Sequence, residues 1–501
     1  MATSQSKKTI GPNRLIYPGL PLFVLAGAGV AAILYATRWG AALSDDSYYY
    51  IHAARDLLAG RGFDMSPHFS PGLSLVLAAI GLAGPDPLAA VRWLNAFLFG
   101  ANILLAGGVV LAMTGSPFFS VVGGAWLLVA SALIETHAWA MSEPLMLFFM
   151  LLGFGVLVSQ RLKDRLAGSA LAGLCFGLAA VTRYIGAAFV LALALAWFFR
   201  RSLPLRTRWL RAGVSGIAGL LPPGLYMLRN QLVFGQLSDR LLAWHPMTLG
   251  LYRAALSTAL IWFLPGRLVH GREWLWLAGL AMLTLAGGAA WYMARRNGGH
   301  LRLLVDHAGL APFLGLAILS YLAILVASRD LFDAAIPMDD RLLSPVLVMV
   351  LILLAAGLAR LAALGRPWSQ ALAGLVIVAV LGVSLARSTD TLRSYHTLGR
   401  GYASARDSIS ETYAYLRKQP ASLPIYSNAM AAIYFWVGRE SKPIPPRSGV
   451  AAMQADLKAH GGFVVVFNSI PLSLYQVTQA ELTHGLVVAI RLSEATLYRA
   501  P

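Results

Sequence analysis

Two adjacent carboxylates, Asp45 and Asp46, stand in the segment Ser44-Asp-Asp-Ser-Tyr-Tyr-Tyr-Ile-His52, directly after the first long apolar run of the chain. Carboxylates this close repel each other, which raises the pKa of one or draws in a cation. Such a group can take a proton from an attacking hydroxyl. Ser44 or Asp45 can also cap a helix that begins here, with Tyr49 and His52 at helical spacing and Gly60 placed to end it. Position alone leaves two readings open: a general base, or a capping acid with a solvated neighbour on a short amphipathic helix.

The elements that must hold these acids are membrane helices. Of the 501 residues, 58% are hydrophobic and 12% charged, against about 25% charged in a soluble chain. Many apolar runs approach the ~20 residues needed to cross a bilayer. Spans are expected near 18–37, 90–113, 117–134, 142–160, 167–182, 185–200, 212–228, 273–294, 307–327, 341–362 and 369–386, about eleven in all. Pro71 to Ala83 and Ala254 to Leu264 are shorter and suit helices that dip into the membrane or lie along it. No cleavable leader is evident, so the run from Pro18 to Ala36 is read as the first span.

Charge sets the expected orientation. Lys7, Lys8 and Arg14 precede the first span. Arg161, Lys163, Arg165, Arg200, Arg201, Arg206, Arg208, Arg211, Arg295, Arg296 and Arg302 fall in connections on the same side, and most acids lie on the other. By the positive-inside pattern the protein is multi-pass in the cytoplasmic (inner) membrane, with the N-terminus cytoplasmic and the C-terminus extracytoplasmic. The formal charge of +18 is explained by this topology and not by nucleic acid. The single cysteine, Cys175, sits in an apolar run and reads as a packing residue. Residues 1–387 form the expected membrane domain. From 388 to 501 the chain turns polar, with strand-like runs at 423–426, 462–467 and 486–491, and reads as a small extracytoplasmic α/β domain.

Six short motifs in order carry a resemblance. They are Asp45-Asp-Ser-Tyr-Tyr49 with Ala53-Ala-Arg-Asp-Leu-Leu-Ala-Gly-Arg-Gly-Phe63; His68-Phe-Ser-Pro-Gly-Leu-Ser-Leu75; Met141-Ser-Glu-Pro-Leu145; Val181-Thr-Arg-Tyr184; Leu221-Pro-Pro with Leu228-Arg-Asn-Gln-Leu-Val-Phe-Gly235; and Arg341-Leu-Leu-Ser-Pro345. Together they resemble the GT-C superfamily of glycosyltransferases, and more narrowly the protein O-mannosyltransferase and lipid A aminoarabinose transferase group. Tyr184 replaces a usual proline, and Asp46 stands where Glu is common.

The resemblance implies inverting transfer of a sugar from a polyprenyl-phosphate donor to a lipid, glycan or protein acceptor at the outer membrane face. It implies Asp45 as general base or acceptor-orienting carboxylate, and Asp46 as the supporting acid. Arg183, Arg229 and Arg341, each at the outer end of an expected span, are the donor-phosphate candidates, because a guanidinium matches phosphate oxygens in a bidentate way. Each can equally anchor the interface. Tyr49, His68 and Glu143 are the remaining substrate-binding candidates. Some relatives use a divalent cation; Asp46 and Glu143 lead the candidate ligands, with Asp45 and His68 behind them, and nothing in the sequence requires one. No P-loop, dinucleotide fingerprint or zinc-spacing motif is present. A transporter or flippase of lipid-linked substrates, or an inactive sugar-lipid-binding relative, remains the alternative. A transporter calls for internal repeats and polar groups near mid-membrane, whereas the titratable residues here cluster at the outer surface.

Overall fold

The computed structural model describes residues 16–240, 242–279, 281 and 310–501. Its membrane part is built of helices α1 (Ile16–Ala36), α2 (Asp45–Leu58), α3 (Gly72–Gly81), α4 (Pro87–Thr114), α5 (Pro117–Val129), α6 (Ser131–Ala138), α7 (Glu143–Val158), α8 (Leu166–Thr182), α9 (Ala187–Phe199), α10 (Leu205–Phe234), α11 (Leu249–Ile261), α12 (Ala311–Leu331), α13 (Asp340–Ala362) and α14 (Pro367–Leu398). Among the described residues, five helices are long and apolar enough to cross a membrane: α1, α4, α12, α13 and α14. A sixth crossing forms if α5 and α6 count as one span bent by 58°.

The remaining expected spans coincide with shorter or less apolar helices. α7, α8 and α9 fill three places, and the 30-residue α10, with arginines in its first two turns, fills a fourth. Of the expected span at 273–294, residues 280 and 282–294 lie outside the described residues. The run at 117–134 is not one straight helix. Ala130 adopts extended backbone and the chain restarts as α6, which carries the polar residues Glu135, Thr136 and His137.

Close helix approach follows from small side chains. In α8, Gly173 and Gly177 stand one turn apart, and a Cβ on either would lie 2.3 Å from a carbonyl oxygen of α10, that of Ser215 or Gly219. This is the small-xxx-small packing that brings membrane helices together where lipid offers no hydrophobic drive. α3, the expected dipping helix, is seated by the turn before it. Tyr184 donates to the carbonyl of Pro67 at 2.9 Å, and Tyr226 donates to that of Phe69 at 3.1 Å. The tyrosine that replaces the usual proline thus ties the end of α8 to the segment between α2 and α3.

The C-terminal part begins where α14 ends. A two-stranded hairpin, β1 (Gly399–Arg400) and β2 (Ala403–Ser404), precedes a five-stranded sheet of β3 (Ile425–Ser427), β4 (Lys442–Pro443), β5 (Phe463–Phe467), β6 (Val487–Arg491) and β7 (Ala495–Arg499). Its order is β4-β3-β5-β7-β6, with β4, β3 and β5 parallel and β7 antiparallel to β5 and β6. Helices α15 (Glu411–Arg417), α16 (Met430–Val437), α17 (Val450–His460) and the short α18 (Gln479–Thr483) pack with it. The three strand-like runs are β3, β5 and β6. β7 is an additional strand that pairs with β5 inside the sheet, Val464 opposite Tyr498 and Phe467 opposite Ala495. The domain sits on α2: the Tyr434 ring meets that of Tyr48 edge-on at 4.9 Å, and Arg55 lies over the Tyr434 ring.

Candidate active site

The acids sit in the first turn of α2, and the local sequence explains why they are free for chemistry. Ser44, not Asp45, is the N-cap, and a reciprocal bond with Ser47 completes a capping box. Gly60, with φ +69°, follows the last turn. The cap is therefore satisfied without either carboxylate, and the helix N-terminus favours negative charge there.

Asp46 meets Arg341, whose Nη1 lies 3.3 Å from Oδ2. Arg341 also faces Glu143, Nε to Oε1 at 3.4 Å, and Arg183 lies 2.7 Å from that same oxygen. Glu143 is fully buried at the first position of α7, and its Oε2 has no hydrogen-bond partner among the described residues. A buried carboxylate needs such compensation, because an unpaired charge out of water is strongly unfavourable. Tyr50 and Ser142 share a 3.3 Å hydrogen bond beside this cluster. Residues from α2, α7, α13 and the position just after α8, some 300 positions apart at the extremes (46 to 341), thus form one chain of charges.

Next to this chain is a cavity of about 330 Å³. Asp46, His68, Arg183 and Arg240 line it together with Met227 of α10 and Leu325 and Phe332 at α12, so polar and apolar side chains share its wall. His68 pairs loosely with Asp239 at 3.3 Å, and Arg240 with Asp333 at 3.4 Å. Arg240 Nε has no partner among the described residues. Its guanidinium therefore has donors to give to a bound oxyanion. Arg240 lies in the loop after α10, beyond the motif matches, and a lone arginine in a polar loop carries no sequence signal that separates it from its neighbours.

Not every candidate joins this group. Arg229 turns away from the cavity: it donates to the carbonyls of Phe63 and Met65 and lies over the rings of Phe63 and Phe234. Its place is to hold the segment between α2 and α3. Tyr49 stacks on Phe69 with ring centroids 4.6 Å apart, near the acids but outside the cavity lining. Among the described residues no three His, Cys, Asp or Glu side chains come together as a metal site. Asp46 and Glu143, the leading candidate ligands, instead share the Arg341 guanidinium, so this pair does not fit a divalent cation between them.

Asp45 faces the C-terminal domain. Tyr402 donates its hydroxyl to Asp45 Oδ1 at 3.0 Å, and its backbone N–H donates to the carbonyl of Leu43 at 2.9 Å. Gly401 permits this approach: its φ is +56°, and a Cβ there would lie 2.0 Å from the Leu43 oxygen. Enclosure between α2 and the domain pushes the Asp45 carboxyl above its ordinary value; the Tyr402 hydrogen bond pulls it down, and the Asp46 charge raises it. Removing the hydrogen bond should therefore raise it further. Tyr402→Phe is expected to shift the acid limb of a rate–pH profile to higher pH while leaving the plateau rate within about tenfold. An unshifted limb would mean that Asp45 is not the group titrating.

Comparison with solved structures shows which architecture this is. ArnT from Cupriavidus metallidurans, solved bound to undecaprenyl phosphate, superposes with a TM-score of 0.57 at 13% identity, over 97% of this chain and 98% of that one. The archaeal oligosaccharyltransferase AglB from Archaeoglobus fulgidus, in complex with an inhibitory peptide and a dolichol-phosphate, gives 0.53 at 12% identity, over 91% of this chain and 70% of that one. No family model matches the chain, and no curated protein sequence matches it. The chain shares the fold of these two solved structures, the fold expected from the motif resemblance.

Proposed function

We propose that the protein is an inverting glycosyltransferase that moves a sugar from a polyprenyl-phosphate donor to an acceptor hydroxyl at the outer face of the cytoplasmic membrane. The observation that carries this reading is the cavity of about 330 Å³, whose lining combines apolar side chains with the guanidiniums of Arg183 and Arg240 and the imidazole of His68. A lipid with a single phosphate needs that combination: apolar surface for the chain and guanidinium donors for the headgroup. The structural likeness to a protein solved with undecaprenyl phosphate and one solved with a dolichol-phosphate supports the same donor class.

In this mechanism Asp45 takes the proton of the acceptor hydroxyl as its oxygen attacks the anomeric carbon. The bond from that carbon to the phosphate oxygen breaks, and its electron pair leaves with the polyprenyl phosphate. Arg183 and Arg240 stabilise the charge that develops on the leaving phosphate. Asp46, held by Arg341, borders the donor and orients it. Arg341 faces both Asp46 and Glu143, so in this reading a guanidinium supplies the positive charge between these two acids. The clustering of charged groups at one end of the helices, instead of at mid-span, favours this reading over a transporter.

The test is donor binding. Arg240→Ala, at a cavity residue with an unpartnered donor, is expected to weaken undecaprenyl phosphate binding about tenfold or more, the scale of one lost charge-assisted hydrogen bond. Microscale thermophoresis of protein in nanodiscs reads this directly. Unchanged affinity in both Arg240→Ala and Arg183→Ala would remove the cavity as the donor site.

A further inference from the structure

Asp45 and Asp46 are neighbours in sequence but open on different parts of the molecule. Asp46 lines the donor cavity, whereas Asp45 faces the C-terminal domain through Tyr402. Tyr49 stands one helical turn along α2. Tyr402 packs on the same apolar cluster as Phe467, the last residue of β5, and Ile470, in the loop that carries on to Tyr475.

The sheet topology explains why that loop is there. From β3 the chain passes through α16 to β4 on one side, and then through α17 to β5 on the other. The parallel strands β3 and β5 thus form a switch point, and the crevice beyond the carboxyl ends of such strands is where open α/β sheets bind ligands. Asn428, just past β3, braces the opening. Its side chain bonds both the N–H and the carbonyl of Phe467 and the carbonyl of Ile470, while its own carbonyl accepts from the Tyr475 hydroxyl at 2.9 Å. This loop also borders a groove of about 740 Å³. Asn468, Ser473, Gln476, Thr478 and Gln479 give that groove amides and hydroxyls, and its two charged lining residues, Arg447 and Glu481, pair with each other.

We propose that this is the acceptor side of the enzyme and that the acceptor is a neutral oligosaccharide, its reacting hydroxyl at Asp45 and its further sugars along the groove. The inference rests on the transferase reading above. Uncharged amides and hydroxyls match sugar hydroxyls. A phosphorylated or cationic acceptor would find its charge unmatched there, which is unfavourable. Tyrosine rings offer apolar faces to the C–H faces of a sugar ring and a hydroxyl for its rim.

The experiment is ligand-observed saturation-transfer NMR on the full-length protein in nanodiscs, with tetrasaccharides of mannose, glucose and N-acetylglucosamine as probes. At least one is expected to receive saturation from the wild-type protein. Its affinity should fall about tenfold in Tyr475→Ala and in Gln476→Gly, the glycine chosen because residue 476 has φ +54°. Undecaprenyl phosphate affinity should stay at the wild-type value in both variants. The proposal is overturned if undecaprenyl phosphate binds but no tetrasaccharide does, or if the sugar signals survive both substitutions. Failure of the wild-type protein to bind undecaprenyl phosphate would instead count against the donor reading, and the sugar signals would still decide the groove.

Discussion

Asp45→Asn is expected to slow sugar transfer by about 10³-fold, within the range that a positioned general base contributes. Asparagine keeps the size of the side chain and can still accept the Tyr402 hydroxyl, now 3.0 Å from Asp45 Oδ1, so the docking of the C-terminal domain should survive. Donor binding should survive as well, because Asp45 is absent from the lining of the proposed donor cavity while Asp46 is part of it. The measurement is the initial rate of product formation by lipid mass spectrometry, alongside undecaprenyl phosphate affinity. Wild-type transfer by Asp45→Asn would sink the assignment. If Asp46→Asn were then the inactive variant, the proton would go to the acid beside Arg341 and the acceptor would have to enter from the cavity side.

The geometry also explains which parts of this site could be read from sequence. The start of α2, its cap and its ending glycine are local signals, set by residues within a few positions of one another, and they stand where spacing places them. The apolar spans are likewise local. What could not be read is the direction in which each guanidinium points. Arg183, Arg229 and Arg341 look alike in sequence, each at a span end, yet Arg183 lines the cavity, Arg341 bridges two acids, and Arg229 is taken up by loop carbonyls. Tyr402 and Asp45 lie 357 positions apart, and the contact depends on Gly401 letting two backbones meet. The same limit hid the break at Ala130. Apolar composition is continuous through residues 117–134, so hydropathy reports one span and cannot report a bend.

The chain of charges from Asp46 to Arg183 makes a second large effect testable, and it separates stability from catalysis. Glu143 is fully buried, and two arginines compensate it: Arg183 at 2.7 Å and Arg341 at 3.4 Å. Arg341→Met keeps an unbranched side chain of comparable length but removes the charge, leaving Glu143 with one partner and Asp46 with none from this residue. The expected loss is about 3 kcal/mol, the low end for breaking a buried pair, because Arg183 and the amino end of α7 still favour the carboxylate. Glu143→Gln alone should also destabilise, since it leaves two arginines facing a neutral amide. Combined with Arg341→Met, however, it should recover part of the loss, because the uncompensated carboxylate is gone. Thermal unfolding of the two single variants and the double variant in detergent closes the cycle, with an expected coupling of about 1–3 kcal/mol. Strict additivity would show that Arg341 and Glu143 do not act as a pair. Transfer should stay low in the double variant even where stability returns, because Asp46 has lost the group that holds it toward the donor. Recovery of stability without recovery of rate is the signature of an arginine that both compensates a buried acid and orients a catalytic one.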